Sequence, residues 1–214
     1  MSETDSFIDE VTEEVRRDRL FALMRRYGWI GILLVVLIVG GAAYKEWKYL
    51  RDTAQAQAFG DKVLAAMEAE DRGAALAAID TDKGRAGVLG LLRAAEAVER
   101  GQPEAARTAL EALANDTALP ASLRALAQLK AVMVAGTTME PAARDAALAS
   151  LAAPGAPFRA LAMEQQATIE IEAGRTDEAV ALLRQILAEA GLTAGLRQRA
   201  TEVMVTLGVD PAAE

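Results

Sequence analysis

The chain has 214 residues, of which 52% are hydrophobic but only 4% aromatic, and a formal charge of −8. It carries no cysteine and no histidine, which removes disulfides, thiolate chemistry, acylated-cysteine anchoring and the commonest metal ligand. An acidic chain without a basic stripe binds phosphate backbones poorly, so nucleic acid is not an expected partner.

Residues 1–26 hold five Arg against seven acids. Phe7, Ile8, Val11 and Val15 fall at helical spacing, with Glu13, Glu14, Arg16, Arg17 and Asp18 on the other faces. Asp5 or Ser6 offers an acceptor for the first backbone N–H groups. A short amphipathic arm is expected, either a solvated helix leading into the next segment or a docking helix for a partner.

The next segment, 27–44, contains no charged residue. Eighteen helical residues reach about 27 Å, close to the roughly 30 Å hydrocarbon core of a bilayer. All three Tyr and both Trp of the chain, Tyr27, Trp29, Tyr44, Trp47 and Tyr49, stand at its two ends. Such rings prefer the membrane–water interface. These residues predict a transmembrane helix with aromatic interface anchors. A cleavable signal peptide ending near Gly40–Ala43 is the main rival reading and a buried core helix a weaker one. The anchor is favoured by the acid-rich segment before the stretch and the aromatics on both sides of it. Arg16, Arg17, Arg19, Arg25 and Arg26 on one flank outnumber Lys45, Lys48 and Arg51 on the other. That bias places the N-terminus inside, with 45–214 in the periplasm or outside. With no ionisable group in the span and no GxxxG pattern, it reads as a tether.

The remainder repeats itself. Shifting 90–128 by 73 residues places Ala94 on Ala167, Gly101 on Gly174, Ala106 on Ala179 and Leu110 on Leu183. That shift is about twice the 34-residue tetratricopeptide period plus loop residues. In "AVERGQPEAARTALEAL" and "IEIEAGRTDEAVALLRQIL" a glycine ends one helix and a second helix starts, with Pro103 in a first turn and Thr176 as a cap. The small Ala106 and Ala179 let paired helices approach, and the larger Leu110 and Leu183 fill the groove between them. Helices are expected over 45–70, 73–80, 86–100, 103–114, 120–135, 141–151, 157–173, 176–190 and 193–207, the first continuing out of the span. The expected fold is all-α: one transmembrane helix, then a tetratricopeptide-like α-solenoid of about four hairpins and a capping helix.

No phosphate loop or nucleophile elbow is present. "GRAGVLGLL" follows no predicted strand and has the wrong glycine spacing for a dinucleotide fingerprint. The acid pairs Asp80/Asp82 and Glu68/Glu70 read as solvated. Neither enzyme activity nor a cofactor, metal or small-molecule substrate is expected.

The lead-in "FIDEVTEEVRRDRL…RRYGW", the single span and the closing "GRTDEAVALLRQIL…LRQRATEVMVTLG" resemble the YfgM-like family. Ala97 and Glu170 stand where tetratricopeptide units usually carry an aromatic residue. The resemblance implies an ancillary subunit of the Sec translocon in a bacterial inner membrane, with its N-terminus in the cytoplasm and its repeat domain in the periplasm. The implied partners are the translocon and periplasmic chaperones, met as secreted and membrane proteins emerge. The alternative expectation is a structural organiser or assembly factor of another envelope complex, respiratory or division.

Overall fold

A computed structural model describes the backbone of residues 3–211, and side chains over 24–211 apart from that of Lys83. Among the described residues every regular element is helical: α1 (Glu3–Glu68), α2 (Arg72–Ala77), α3 (Lys83–Glu99), α4 (Pro103–Asn115), α5 (Ala121–Ala135), α6 (Pro141–Leu151), α7 (Arg159–Glu172), α8 (Thr176–Ala188) and α9 (Ala194–Thr206). One 3-10 turn, Gly136–Thr138, follows α5. The chain divides into two compact units, Met1–Asp61 and Lys62–Glu214.

From Glu3 onward the first unit lies within α1. The expected arm, apolar stretch and following helix form one unbroken helix, because the first proline of the chain is Pro103 and no other breaker intervenes. Asp5 and Ser6 therefore lie inside α1, not at its cap. The expected placement of Phe7, Ile8, Val11 and Val15 falls outside the described side chains. Every side chain from Met24 to Leu50 is exposed. The Tyr44 and Trp47 rings lie 6.1 Å apart, and the Arg26 and Arg51 guanidinium groups sit 5.8 and 5.5 Å from the Tyr27 and Trp47 ring centres.

In the second unit each helix packs on its chain neighbours from α2 to α9. The pairs α3/α4, α5/α6 and α7/α8, followed by α9, form the expected α-solenoid, in which apolar faces are buried only against adjacent units. Its core falls into three clusters. Ala94, Ala106, Leu110, Ala127 and Ala131 join α3, α4 and α5. Leu129, Val132, Leu148, Leu151 and Ala162 join α5, α6 and α7. Met163, Ala167, Leu183, Ile186, Ala200 and Met204 join α7, α8 and α9. Helix α5 thus contributes alanines to one core and larger residues to the next.

The helix ends explain most boundaries. Gly101 and Gly174 adopt φ of 71° and 74° after α3 and α7. Their N–H groups donate to the Val98 and Ile171 carbonyls at 2.9 and 3.0 Å, and the next residues, Gln102 and Arg175, donate back to Ala97 and Glu170 at 2.8 Å. This is a Schellman closure, which satisfies the last carbonyls of a helix and favours glycine at the left-handed position. Pro103 and Pro141 occupy first-turn positions of α4 and α6. Thr176 does not cap α8: the single residue between Gly174 and the helix is Arg175, which is the N-cap without a side-chain bond, and Thr176 is the first helical residue. Asp177 and Glu178 supply negative charge to that turn. Helix α3 begins at Lys83, ahead of the expected 86, because Asp82 accepts from the Arg85 N–H at 3.0 Å.

The glycines of "GRAGVLGLL" lie on α3 at intervals of three. A Cβ on Gly90 would come within 2.9 Å of both Leu113 δ-carbons, and one on Gly87 within 3.1 Å of Leu119 and 3.2 Å of Leu123. They give leucines of α4, α5 and the intervening turn a close approach to α3.

Helix α2 has only six residues and one buried side chain, Leu76. Polar groups hold both of its ends to α3. At the start, Asp71 accepts from the Ala74 N–H at 3.0 Å and pairs with Arg100, while Arg72 pairs with Glu99 at 3.1 Å. The Ala74 N–H and then the Arg100 guanidinium hold the Asp71 carboxyl below its ordinary range. Arg100 also reaches the largely buried Glu96 at 3.0 Å.

Candidate functional site

The opening helices of the last two hairpins, together with α9, present a groove. Helices α5, α7 and α9 bound a space of about 870 Å³. The reason lies in the register of each helix. In α7, Ala162, Met163 and Ala167 turn into the cores, which leaves Glu164, Thr168 and Ile171 on another stripe at i, i+4, i+7. Leu126, Lys130 and Met133 make the same stripe on α5, and Arg199, Val203 and Thr206 make it on α9. The floor is apolar, with Leu129, Leu161, Ile171 and Val203, and the rim is polar. Met133 is 55% exposed within it.

One fork crosses the groove. Arg199 Nε and Nη2 donate to the two Glu164 carboxylate oxygens at 2.7 and 2.8 Å, joining α9 to α7. Paired N–H···O bonds of this form fix geometry as well as adding energy. A smaller cavity of about 80 Å³ shares Met133, Gln165 and Thr168 with the groove and is completed by Thr137, Arg144 and Glu172, among others. The Arg144 Nε–H is buried without an acceptor. Among the described residues no group of three or more His, Cys, Asp or Glu side chains is placed to hold a metal ion.

Residues 24–203 match the tetratricopeptide repeat-like domain family. The chain belongs to that family. Domains of this family are generally non-catalytic interaction modules, which implies protein partners. The family match starts at residue 24 and so takes in the apolar stretch of α1. No curated protein and no solved structure matches the chain.

Within this tetratricopeptide repeat-like chain, the residues singled out from sequence fall into two groups. Tyr27, Trp29, Tyr44, Trp47 and Tyr49 all lie exposed on α1, between 51% and 65%. Ala94, Ala106 and Leu110 lie together in the first core cluster, and Ala167 and Leu183 in the third. Ala179 is fully buried on α8, and Gly101 and Gly174 close α3 and α7. None of these residues lies in the groove except Ala167 and Leu183, which line its floor. The groove residues proper were not reached from sequence. Their signal was the i, i+4, i+7 stripe left on each first helix after its core positions are removed. Gly208, with φ of 78°, closes α9 in the manner of Gly101 and Gly174, its N–H and that of Val209 donating to the Val205 and Met204 carbonyls at 2.9 and 3.0 Å, whereas Gly136, with φ of 50°, is itself the C-cap of α5 and donates to the Val132 carbonyl.

The stretch of α1 beginning at Met24 is long and apolar enough to cross a membrane, with a mean hydropathy of 2.0 over its best window and none of that window buried. Such a profile suits a single-pass anchor and a signal sequence alike.

Proposed function

We propose that the chain is a membrane-tethered interaction scaffold: residues 1–26 a cytoplasmic arm, 27–44 a single transmembrane helix, and 45–214 a periplasmic repeat domain at a bacterial inner membrane. The carrying observation is the uncharged stretch Tyr27–Tyr44, wholly exposed on α1, in a chain that also holds a helical-repeat interaction domain. Tyr27 and Trp29 at one end, and Tyr44, Trp47 and Tyr49 at the other, act as interface anchors. The arginine-rich N-terminal flank supports the inside orientation. The eight repeat positions, Ala94 to Leu183, act as packing residues that hold the groove's helices in place.

The partners we assign are the Sec translocon and a periplasmic chaperone, on the strength of the resemblance to the YfgM-like family. The scaffold holds a client-facing groove beside the channel and carries out no chemistry itself.

Photocrosslinking in cells tests this reading. Probes are placed at Leu34 and Val36 in the span and at Met133 and Thr168 in the groove, and the adducts are identified by mass spectrometry. Adducts to the translocon channel and a chaperone are expected. Adducts to a different membrane complex would remove the secretion role and keep the scaffold. The mass of the chain extracted from membranes is expected to be that of the uncleaved protein, 22.6 kDa. A soluble product beginning near Ala43 would remove the anchor.

A further inference from the structure

The C-terminal end of the apolar stretch carries more than a tether needs. Tyr44, Trp47, Lys48 and Arg51 stand at i, i+3, i+4 and i+7 on α1, so at about 100° of turn per residue they share one face about 100° wide. All four are exposed. The Tyr44 and Trp47 rings lie 6.1 Å apart, and the Arg51 guanidinium sits 5.5 Å from the Trp47 ring centre. Side chains on a helix lean toward its N-terminus, which here means back toward the span. Arg51, reaching to a ring one turn earlier, follows that lean. No ion pair among the described residues involves Lys48 or Arg51, although Asp52 stands one turn after Lys48. Glu46 lies on the far side of the helix. The face therefore holds two cations and no carboxylate. Lys48 and Arg51 lie about 6 and 10 Å along the axis from Tyr44, and a headgroup layer is about 5–7 Å thick. With the backward lean, both cationic groups end in that layer.

We propose that this face binds the headgroup of an anionic phospholipid of the phosphatidylglycerol type, in the leaflet that the Tyr44 end of the span enters. Lys48 and Arg51 meet the phosphate oxygens, for which the paired N–H donors of a guanidinium are well shaped. Tyr44 and Trp47 lie beside the glycerol backbone, at the depth such rings prefer. A phosphatidylcholine headgroup suits the face less well. Its own quaternary ammonium offsets the phosphate charge and is repelled by the two cations. The Trp47 ring, which would attract that ammonium, is already faced by Arg51. The assignment rests on the reading of 27–44 as a transmembrane helix and adds the lipid that it selects.

The test uses the full chain with Trp29→Phe, which leaves Trp47 as its one tryptophan. The chain is reconstituted in vesicles of phosphatidylglycerol and phosphatidylcholine in equal amounts, with brominated acyl chains on one lipid or the other. Trp47 quenching is read for each, and the ratio of the two cancels changes in emission between variants. The ratio is expected to report at least about fivefold enrichment of phosphatidylglycerol, the scale of one basic residue beside anionic lipid, and to fall as salt is raised. Lys48→Gln and Arg51→Gln should each lower it, and Arg51→Lys should preserve most of it. Lys45→Gln, outside the face, should leave it unchanged. An equal loss from Lys45→Gln would reduce the site to diffuse charge and overturn the proposal. Displacement by free glycerol 3-phosphate would overturn it in favour of a soluble phosphate. Equal quenching by both lipids would overturn it and leave the anchor standing. Quenching by neither would retire the anchor as well.

Discussion

Arg93 of α3 donates from Nε and Nη2 to the carbonyl oxygen of Leu76 at 3.1 and 2.8 Å, and from Nη2 to that of Ala77 at 3.2 Å. A guanidinium on one helix thereby closes the C-terminal end of another. A six-residue helix does not persist in water unaided, so these charge-assisted bonds stand in for the apolar contact that α2 largely lacks. Arg93→Met, which keeps the aliphatic bulk, is expected to cost about 1.5–3 kcal/mol locally. Hydrogen exchange over residues 72–78 should accelerate while that of α7 to α9 stays unchanged. Unaltered exchange in α2 would show that Leu76 alone holds it.

The opposite end of α2 responds to pH. The Ala74 N–H and the Arg100 guanidinium depress the folded-state pKa of Asp71. A depressed carboxylate stabilises the folded form above its unfolded pKa and ceases to do so as pH falls through the lower, folded value. The N-terminal fastening of α2 is therefore expected to be intact at neutral pH and to loosen only below about pH 4, the ordinary aspartate value. Exchange in α2 measured from pH 6 down to pH 3 should show this step in the native chain and lack it in Asp71→Asn.

Gly90 tests whether close approach or helix propensity decides the α3/α4 contact. Alanine in a helix interior is worth about 0.5–1 kcal/mol over glycine, but here its Cβ would meet the Leu113 δ-carbons at 2.9 Å and Cγ at 3.2 Å. Overpacking of this kind costs about 1–3 kcal/mol, so Gly90→Ala is expected to lower stability in urea unfolding. In a Leu113→Ala background the obstruction is gone, and the same substitution should raise stability by about 0.5–1 kcal/mol. A destabilising effect in both backgrounds would mean that Leu113 is not the obstacle.

Leu110 and Leu183 occupy equivalent repeat positions in separate cores, and both are almost fully buried. Each alanine substitution is expected to cost about 2–5 kcal/mol. Because stability in a solenoid passes between neighbours, the damage should be regional. Leu110→Ala should raise exchange in α3 to α5 first, and Leu183→Ala in α7 to α9 first. Identical exchange patterns for the two variants would indicate a single cooperative core.

The helices were legible because their punctuation is local. Pro103 and Pro141 mark starts, Gly101 and Gly174 mark ends, and the expected 103–114 and 141–151 became Pro103–Asn115 and Pro141–Leu151. The expected 73–80 shortened to Arg72–Ala77 because its terminus is set by Arg93, a residue seventeen positions downstream of Leu76, which no local pattern announces. Thr176 was misjudged as a cap because the Schellman turn of α7 consumes the residues up to Arg175. The groove was beyond reach for the same reason on a larger scale. Leu129, Ile171 and Val203 are brought to one floor only by the stacking of three helices, and each alone resembles any other apolar residue on a helix.

Helix α5 gives Ala127 and Ala131 to one core and Leu129 and Val132 to the next, so it is gripped from both sides. Helix α9 has α8 and the third core on one side, is forked to α7 through Arg199 and Glu164, and has no further helix beyond it among the described residues. The groove between them is therefore bounded by one helix held in two cores and one held in a single core. Spin labels at Thr168 and Thr206 are expected to report a wider spread of distances than a pair across α5 and α7. Among the described residues the Arg199–Glu164 fork is the ion pair that fastens this second wall to α7.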